Sequence, residues 1–582
     1  MEYRTNHSKS SLLLVDIYKV DYSDPEKKAP LIYLKRTKGF SSTNFSKEIK
    51  YRLYKRYYDH NLDRVLKTLT KMDKRDDHES VFMNLLKNPN EWAQKLTGEV
   101  EQFKKIKLQM SPSQEEISKK ILKRRLQIVW GPPGSGKTHF LSLFTTWYLS
   151  EYKCKLTKNY IVGLTAFTRA AIENLLDRIS TVQKQHHKTK KCKARDLKSK
   201  IEINGKPIVN GKPIVIGGTV WDWFKVREKW NFDWVGCDIM IIDEGSQLLV
   251  SDASIAIECL NPKSGKLIVA GDHMQMGPIL RATYPTFPLD HPLIFGSILQ
   301  CLMRKENGNV IHEKDFILKK GQKHNFGPLT AQLKENWRMN QELNGFFQKM
   351  YGDDYNISPL KKSSLLFEDS QFEDTPIQRI LSPGSAIVLV KLPMIKNKRL
   401  RNDPRTLEDK FLQTEVEVVE QIYLSINKME ETKKPSLLIV TPYHRQRNAI
   451  QSQLKRYTNE LQIIDTTEKM QGKEADIVIA CFGFYNLDET FTKEFVFDIN
   501  RLNVATSRAR SKLIIITTDK MLYPKDIKIF ANKKMREGWA FLNMIENWVQ
   551  NNDNNSGRKR KRENIGIIKW KISGDGKKQR ND

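Results

Sequence analysis

The residues whose spacing carries chemistry begin at Gly131–Thr138, which read Gly-Pro-Pro-Gly-Ser-Gly-Lys-Thr. This octapeptide matches G-x-x-x-x-G-K-[ST], a pattern in which the backbone N–H groups of a glycine-rich loop surround phosphate oxygens. The lysine of the pattern reaches the β- and γ-phosphates, and the final hydroxyl ligates Mg²⁺. The sequence therefore predicts a nucleoside-triphosphate site with the contact residues Gly131, Pro132, Pro133, Gly134, Ser135, Gly136, Lys137 and Thr138.

An apolar run that ends in two carboxylates follows at residues 238–244, Asp-Ile-Met-Ile-Ile-Asp-Glu. Because the carboxyl ends of strands face the nucleotide in a doubly wound sheet, both carboxylates are expected beside the phosphates. Asp243 is then the Mg²⁺ partner, directly or through water, and Glu244 the base that orients the attacking water. An acidic pair that ends a strand is more often a solvated turn, so this interpretation depends on the phosphate loop.

Parallel strands with crossover helices are needed to bring these two groups together, and the sequence predicts them. Short β-branched or aliphatic runs alternate with helix-like stretches from residue 126 onward. The predicted strands are Leu126–Trp130, Tyr160–Leu164, Asp238–Ile242, Leu267–Ala270, Ala386–Val390, Leu437–Val440, Asp476–Ala480 and Leu513–Thr517. Two successive α/β units, divided near Arg304–Asn325, are the simplest organisation.

The first hundred residues match neither series. Ser11–Val20 and Leu31–Leu34 could be strands, and Asn61–Asn88 has the apolar spacing of an amphipathic helix, with Val65, Leu66, Leu69 and Met72 as its apolar positions. We therefore expect an accessory region at the N-terminal end.

Two basic segments are predicted to lie outside the α/β units. Thr181–Val215 carries ten Lys/Arg against two Asp/Glu and repeats an Asn-Gly hexapeptide at 204–209 and 210–215. Asn-Gly favours hairpin turns, so we expect a projecting basic insertion. The last thirty-two residues carry ten Lys/Arg against four Asp/Glu and read as a solvated tail. Its run Arg558–Arg562 is a nuclear-import signal or, more commonly for such runs, simply a charged stretch.

The composition of the 582 residues limits the class of binding partner and the cellular compartment that we expect. A formal net charge of +31 favours a polyanion such as nucleic acid, although a bias toward lysine on solvated surfaces would give the same number. No apolar stretch is long enough for a membrane span, and the polar N-terminus lacks a secretory signal. Six scattered cysteines without a Cys-x-x-Cys pair indicate reduced thiols. We therefore expect an intracellular protein, nuclear or cytoplasmic.

The phosphate loop and the acidic pair belong to a longer ordered series that resembles superfamily 1B helicases, among them the nonsense-mediated-decay helicase and the helicase part of replication helicase-nucleases. The series spans roughly residues 113–510 and comprises Ser-Pro-Ser-Gln at 111–114, Leu164–Leu176, Asp243–Gln247, Gly271–Pro278, Asn336–Met339, Met470–Asp476 and Arg501–Arg510. The motif Gly271–Pro278 keeps one proline, Pro278, where the family often has two. In the last motif, Arg501–Arg510, Ser507 stands where a threonine is usual. We find no nuclease signature, so the combined helicase-nuclease arrangement is not expected.

The resemblance implies an α/β fold of two tandem RecA-like P-loop domains with parallel sheets. The expected boundaries are 1–95 for the accessory region, which could hold a reduced barrel and stalk, 96–315 for the first domain, 316–548 for the second and 549–582 for a basic disordered tail. It also implies ATP and Mg²⁺ as ligands. The expected activity is ATP hydrolysis that drives movement along single-stranded DNA or RNA, 5′ to 3′, with duplex unwinding.

Site roles carry over from the family onto matching positions. Lys137 and Glu244 keep the roles given above, Gln275 corresponds to the residue that senses the γ-phosphate, and Arg338 and Arg508 to two arginines that neutralise the transferring phosphoryl group when the domains close.

Three further positions surround the nucleoside. Gln114 matches the glutamine that reads adenine, and Glu474 resembles a carboxylate near the ribose. Trp337 stands where the family has tyrosine, so it stacks on adenine or lies in the core.

The family's contacts to nucleic acid fall on seven positions, whose hydroxyls, ring and backbone amides would bind a strand without reading its sequence. They are Thr165, Thr168, Thr219, Thr441, Pro442, Tyr443 and Thr467. A threonine at any of them could equally pack or cap a helix. Trp221 and Trp223 could stack on bases, but we favour core positions.

Three alternatives to a helicase remain at this stage. An ATPase stimulated by nucleic acid could remodel protein complexes without unwinding, a binding protein could retain a decayed motor, and an AAA-type remodeler would share the first two motifs. We expect a monomer with a single-stranded nucleic-acid partner, no membrane partner, and protein partners on the basic insertion or tail.

Overall fold

A computed structural model describes the chain at residues 15–21, 31–36, 60–73, 80–94, 108–152, 160–185, 193–196, 214–229, 236–280, 288, 291–311, 325–358, 375–393, 404–429, 434–484, 490–555 and 567–570. The chain divides into two units, residues 1–69 and residues 70–582. Within the described ranges, no helix combines the length and the apolar character needed to cross a membrane.

The N-terminal segments confirm both predicted strands. Strands β1 (Val15–Asp21) and β2 (Leu31–Arg36) pair antiparallel. The predicted long helix is divided into α1 (His60–Asp73), α2 (Val81–Lys87) and α3 (Pro89–Gln94). Asn88 precedes a proline, a position at which the helical conformation is disfavoured, so α2 ends there.

The apolar positions predicted for this helix differ in their burial. Val65 and Met72 are buried, whereas Leu66 and Leu69 are exposed. The helical periodicity is present, but the apolar face is only partly covered.

A seven-stranded parallel sheet forms the first α/β domain, and its strand order is β5-β6-β4-β7-β8-β3-β9. Its strands are β3 (Leu126–Trp130), β4 (Ile161–Ala166), β5 (Lys193–Asp196), β6 (Ile214–Gly217), β7 (Ile239–Asp243), β8 (Lys266–Gly271) and β9 (Thr330–Gln332). Every residue of β3 and β7 is buried, as expected for a sheet covered on both faces. Strand β8 separates β3, which leads into the phosphate loop, from β7, which ends in Asp243.

The helices of this domain cover the sheet, and one of them is largely surrounded by protein. They are α4 (Pro112–Lys123), α5 (Lys137–Tyr152), α6 (Arg169–Gln185), α7 (Val220–Lys229), α8 (Val250–Ile257) and α9 (Ile298–Leu302). Helix α5 buries ten consecutive residues from Phe140 to Leu149, so it has no solvated face along that stretch. It begins directly at Lys137, which fixes the phosphate loop between a buried strand and a buried helix.

A connection between the domains contains a small two-stranded parallel pair and one helix. Its elements are β10 (Glu335–Asn336), α10 (Gln341–Tyr351) and β11 (Asn356–Ile357). Asn340 caps α10 through its side chain and donates from its backbone N–H to the carbonyl of Arg510, 2.9 Å away. The connection is therefore hydrogen-bonded to the second domain through the carbonyl of Arg510.

The second domain has a six-stranded parallel sheet in the order β14-β13-β15-β16-β12-β17. Its strands are β12 (Ile387–Leu392), β13 (Leu437–Thr441), β14 (Ile464–Thr466), β15 (Ala475–Phe482), β16 (Ala509–Thr518) and β17 (Ile567–Lys569). Its helices are α11 (Pro376–Leu381), α12 (Pro404–Asn427), α13 (His444–Leu454), α14 (Thr490–Val496), α15 (Ile499–Thr506), α16 (Asp519–Leu522), α17 (Ile527–Ala531) and α18 (Lys533–Asn555), with short 3-10 turns at Leu461–Ile463 and Thr467–Met470. This architecture confirms the predicted fold class, an α/β chain with two tandem RecA-like domains and parallel sheets.

Three strands lie in segments to which the sequence prediction gave a different structure or a different domain. Strand β9 lies in the range 316–548 assigned to the second domain, yet it pairs with β3 of the first sheet. Strand β17 lies in the tail predicted to be disordered and pairs with β12, because Ile568 and Trp570 bury their side chains there. Strand β5 lies within the insertion predicted to project, and it pairs with β6 at the sheet edge. The Asn-Gly turns of that insertion and the run Arg558–Arg562 lie outside the described residues.

Candidate active site

The phosphate loop has the backbone that its glycines allow. Gly134 and Gly136 adopt φ values of +78° and +75°, which side-chain-bearing residues rarely adopt. A Cβ on Gly131 would lie 2.0 Å from Cγ of Lys137, so the lysine side chain passes directly over this glycine. Lys137 Nζ donates to the carbonyl of Gly131 at 3.0 Å, which holds the ammonium at the mouth of the loop.

Thr138 and Asp243 form the oxygen pair that the sequence predicts for a magnesium ion. Thr138 Oγ1 donates to Asp243 Oδ2 at 3.0 Å, and Asp243 is buried. Burial raises the pKa of Asp243 to about 6, the neighbouring Glu244 charge adds to the rise, and Lys137 opposes it. Hydroxyl and carboxylate oxygens are the ligands that Mg²⁺ prefers, so these residues fit such an ion.

Glu244 has an unusual backbone conformation directly after β7. Its φ of +51° is left-handed, and among the described residues other than glycine no second positive φ occurs. Such a conformation is unfavourable for a non-glycine residue and persists only where surrounding contacts hold it. Two contacts do so here: the Glu244 N–H donates to Asp243 Oδ1 at 2.9 Å, and Gln471 Nε2 of the second domain donates to Glu244 Oε2 at 3.4 Å.

Gln114 lies in the first turn of α4 and is completely buried. Its Oε1 accepts from the backbone N–H of Ser111 at 3.0 Å, whereas its Nε2 is buried and has no acceptor within the described part of the chain. A buried donor without an acceptor is unfavourable, and an amide NH2 with free N–H donors suits an acceptor such as a purine ring nitrogen. Gln114 therefore fits the predicted role of reading a base.

Trp337 and Arg338 lie against the phosphate loop. The Trp337 N–H donates to the carbonyl of Gly134 at 2.8 Å, and a Cβ on Gly134 would lie only 2.6 Å from Cβ of Arg338. The Trp337 ring is half-buried, with Cδ1 3.6 Å from the Cβ position of Gly136. The tryptophan is therefore beside the triphosphate site and not in a distant core.

Arg338 joins the loop to the second domain. Its Nε donates to Glu474 Oε2 at 2.7 Å, and one terminal nitrogen donates to the carbonyl of Ser507 at 2.8 Å. Arg510 also donates twice to Glu474, at 2.7 and 3.1 Å. Burial alone would raise the pKa of Glu474, but the charges and hydrogen bonds of Arg338 and Arg510 lower it to about 2. Glu474, predicted near a ribose, thus forms ion pairs with both arginines.

Arg508 and Gln275 meet across the domain boundary. Arg508 donates to Gln275 Oε1 at 3.0 Å, and Gln275 Nε2 donates to Asp272 Oδ2 at 2.9 Å. Burial lowers the pKa of Arg508 to about 9, and the nearby positive charge of Arg338 acts in the same direction. The guanidinium remains charged at neutral pH, so a buried cation of the second domain is fixed to the γ-phosphate sensor predicted in the first.

Asp272, Tyr351 and Asn503 continue this hydrogen-bond network. Tyr351 donates its hydroxyl proton to Asp272 Oδ2 at 2.9 Å and accepts from Asn503 Nδ2 at 2.6 Å. Asn503 Nδ2 also donates to the carbonyl of Met274 at 2.7 Å. Together with the Arg508–Gln275 contact, these bonds connect the loop after β8 with helix α15 at two places.

The residues predicted to contact nucleic acid lie at the carboxyl ends of strands, but most are covered. Thr165, Thr441, Pro442 and Thr467 are buried. The Thr441 hydroxyl donates to the Tyr443 carbonyl at 3.3 Å. Their side chains therefore pack inside the domains, and their predicted contact with nucleic acid through hydroxyls or backbone amides stays a prediction.

The remaining positions of that group reach the surface to different degrees. Thr168 is exposed and accepts from the backbone N–H of Ala171 at 3.2 Å as a helix cap. Thr219 is half-buried and donates to Asp222 at 2.7 Å. Tyr443 is half-buried and stacks on Phe495, with ring centroids 4.8 Å apart. Trp223 is completely buried, as favoured from the sequence.

Comparisons with known proteins find AAA domains and ATP-dependent helicases. Two protein-family matches, each described as an AAA domain, cover residues 109–285 and 317–520. The DNA replication ATP-dependent helicase/nuclease DNA2 of Xenopus laevis is 22% identical over 445 residues, which is 70% of this chain and 37% of that protein. The uncharacterized ATP-dependent helicase MJ0104 of Methanocaldococcus jannaschii is 24% identical over 305 residues, 51% of this chain and 38% of that protein. This chain is a relative of the superfamily 1 helicases.

The relationship is distant, and it covers only part of each relative. The chain spans less than two fifths of the length of DNA2 and of MJ0104. Among solved structures, an Arterivirus nonstructural protein 10 helicase in complex with DNA has a TM-score of 0.32 and 13% identity, with 67% of this chain and 60% of that chain covered.

Several residues of this helicase relative were not predicted as site residues. Gln471, Asp272 and Asn503 lie inside the motifs that the sequence shows, but their contacts emerge only from the domain arrangement. Tyr351 and Glu335 lie outside any pattern that marks them, although Glu335 directly precedes Asn336-Trp337-Arg338. Proximity to a motif is the one signal that could have found Glu335.

Proposed function

We propose that this chain is an ATP-dependent motor that hydrolyses ATP and moves along single-stranded nucleic acid. The observation that carries the proposal is the contact between Arg508 and Gln275 at 3.0 Å. It supports the proposal because it joins a buried cation of the second domain to the residue proposed to sense the γ-phosphate in the first, so approach of the domains would complete the site.

The hydrolytic roles follow from the geometry around the phosphate loop. Lys137 and the loop N–H groups bind the β- and γ-phosphates. Glu244 orients and deprotonates the attacking water, because it directly follows Asp243 at the end of β7 and is only half-buried, whereas Asp243 is buried. Arg508 and Arg338 neutralise the charge that develops on the transferring group.

The residues also fit the metal that such chemistry uses. Thr138 Oγ1 and the carboxylate of Asp243 would hold Mg²⁺. Such an ion would supply positive charge that reduces the negative charge of the phosphate oxygens.

The track is proposed to be single-stranded DNA or RNA. A net charge of +31 favours a polyanion, and the carboxyl-end surface of both sheets offers exposed Thr168 and the half-buried ring of Tyr443 to a strand. Superfamily 1B resemblance adds 5′-to-3′ movement and unwinding to this proposal. Both halves of the site come from one chain, so a monomer suffices.

The alternative is an ATPase stimulated by nucleic acid that remodels protein complexes without net unwinding. It uses the same residues at the ATP site, so a duplex-unwinding measurement is what separates the two. Protein partners for either function would bind the basic segments, in the nucleus or the cytoplasm.

The first experiment measures ATP hydrolysis with no polymer, with single-stranded DNA and with single-stranded RNA of equal length. Glu244→Gln serves as the blank, because it keeps the size of the side chain and removes the base. Stimulation by one polymer identifies the track, and stimulation by both supports contacts to the backbone alone. Hydrolysis that persists in Glu244→Gln or in Lys137→Ala contradicts the proposed motor.

A further inference from the structure

Glu335 binds the N-terminal turn of α4 through one carboxylate. Ser111 Oγ donates to Glu335 Oε2 at 2.7 Å, and the Ser113 N–H donates to Oε1 at 3.1 Å. The Ser113 hydroxyl donates to Oε2 as well. Both serines are buried, so these three charge-assisted bonds are protected from solvent.

The same turn carries the residue that we propose to read the base. Gln114 directly follows Ser113, and its Oε1 accepts from the N–H of Ser111. Glu335 therefore binds the residues on which the orientation of Gln114 depends. If the turn moved, the unpartnered Nε2 of Gln114 would move with it.

Glu335 also belongs to a short segment with contacts in three directions. We call residues Lys334–Arg338 the connector segment. Its Glu335 binds α4, its Trp337 N–H donates to Gly134 of the phosphate loop, and its Arg338 binds Glu474 of the second domain. Five consecutive residues thus contact the turn that carries Gln114, the phosphate loop and the second domain.

We infer that Glu335 is a positioning residue that couples recognition of the nucleotide base by Gln114 to the placement of Arg338. Selectivity among nucleoside triphosphates then depends on Glu335, although Glu335 itself lies on β10 and, among the described residues, its carboxylate accepts hydrogen bonds from Ser111 and Ser113 alone. This inference rests on the proposed ATP hydrolysis and adds the residue that makes turnover depend on the base.

The test compares hydrolysis of ATP and UTP by the wild type and by Glu335→Gln. The amide keeps the shape of the side chain but replaces one acceptor oxygen with a donor, which opposes the serine donors. We expect kcat/KM for ATP to fall about tenfold, whereas kcat/KM for UTP changes less than about twofold, because UTP lacks the purine edge that Gln114 reads. The ATP-to-UTP ratio is the readout, and a purely structural defect would lower both values equally.

Two further variants make the result decisive. Ser111→Ala combined with Ser113→Ala removes the two hydroxyl donors and keeps the Ser113 backbone N–H, so adding Glu335→Gln to it is expected to cause a smaller loss of selectivity than Glu335→Gln causes in the wild type. Asp354→Asn, which changes an exposed partner of Lys334, is the control and should keep the wild-type ratio. Thermal unfolding of each variant reports its folding.

The outcomes separate the inference from the function on which it rests. Equal losses for ATP and UTP in Glu335→Gln, or a wild type that does not distinguish the two substrates, would overturn the coupling role of Glu335. A wild type that hydrolyses no nucleoside triphosphate would instead overturn the proposed motor.

Discussion

Arg508 is a buried cation whose position depends on both domains. Its guanidinium donates to Gln275 Oε1 and to the carbonyl of Val504, and it keeps its charge because its pKa, although lowered by burial, is about 9. A lysine could supply the charge but not two directed bonds from one planar group. The geometry of the guanidinium, and not charge alone, is therefore expected to decide activity.

We predict that Arg508→Lys lowers kcat for ATP hydrolysis about a thousandfold while KM for ATP changes little, since the arginine acts on the transition state. Steady-state kinetics at saturating nucleic acid measure both values. Arg445→Lys is the matched control, because Arg445 forms exposed ion pairs with Glu408 and Asp409. A kcat within a few-fold of the wild type would show that Arg508 is not the transition-state cation.

Glu415 is a buried carboxyl in the second domain with a measurable pH signature. Burial raises its pKa from 4.5 to about 7, while hydrogen bonds from Gln446 Nε2 and the Gly483 N–H oppose the rise. A raised folded-state pKa means that the folded chain holds this proton more tightly than the unfolded chain. Stability from this group is therefore complete below pH 4.5 and is lost as the pH rises to 7.

We predict that Glu415→Gln removes this pH dependence. The wild type should lose about 3 kcal/mol of unfolding free energy between pH 4.5 and pH 7 through this group, and the variant should not. Chemical unfolding at several pH values measures the difference. Glu420→Gln, at a carboxylate of the same helix that accepts from Tyr457, is the control. Parallel pH profiles for the wild type and Glu415→Gln would contradict the assignment.

At the scale of elements, the phosphate loop is shaped by its contact with the connector segment as well as by its own backbone. Gly134 has φ +78°, and a Cβ there would lie 2.6 Å from Cβ of Arg338 and 2.8 Å from Oδ1 of Asn336. Gly308 has a similar φ of +82°, but a Cβ there would have no neighbour within 4 Å. Substitutions at these two glycines therefore distinguish the effect of backbone strain from the effect of steric contact.

We predict that Gly308→Ala destabilises the fold by about 1 kcal/mol from backbone strain alone, without effect on the ATP site. Gly134→Ala carries the same strain and also displaces Arg338, so it should reduce ATP affinity and turnover in addition. Thermal unfolding and ATP titration of both variants measure the two effects. Identical behaviour of the two variants would show that the contact with the connector segment has no role.

The elements that the sequence predicts are those with long apolar runs. All eight predicted strands are present, because each run is buried on both faces and therefore lacks polar interruptions. The strands of the two large sheets that the sequence did not predict have three or four residues and lie at the edges of their sheets or next to them; they are β5, β6, β9, β14 and β17. Such short segments become strands only through the neighbour that they pair with.

Some of the site residues were predictable from the sequence, and the contacts of others were not. Lys137, Thr138 and Asp243 follow from local patterns, since a strand, a loop and a helix in sequence fix their geometry. The burial of Thr441 and Thr467 was not predictable, because it depends on how loops from different strands pack together at one edge. The contacts of Glu335 were equally hidden, because they join segments more than two hundred residues apart.

In the molecule as a whole, two of the hydrogen-bond routes that join the domains meet at Asp272, which accepts from both Gln275 and Tyr351. One is the direct pair Arg508–Gln275, which includes a proposed catalytic cation. The other runs from Asp272 through the Tyr351 hydroxyl to Asn503 and contains no group proposed to touch ATP. The second route can therefore be broken without removing catalytic machinery, which makes it the place to test how nucleic acid binding reaches the ATP site.

We predict that Tyr351→Phe keeps basal ATP hydrolysis within about twofold but lowers its stimulation by single-stranded nucleic acid about tenfold, as expected for loss of the two buried hydrogen bonds by which the hydroxyl links Asp272 to Asn503. The ring remains in place, so packing around Trp130 and Tyr355 is retained. Hydrolysis rates across a nucleic-acid titration measure the effect, with Tyr457→Phe, whose hydroxyl binds Glu420 at the surface, as the control. If stimulation is unchanged, communication between the domains does not depend on the Tyr351 hydroxyl; if basal hydrolysis is lost as well, Tyr351 supports the ATP site itself and the two routes are not separate.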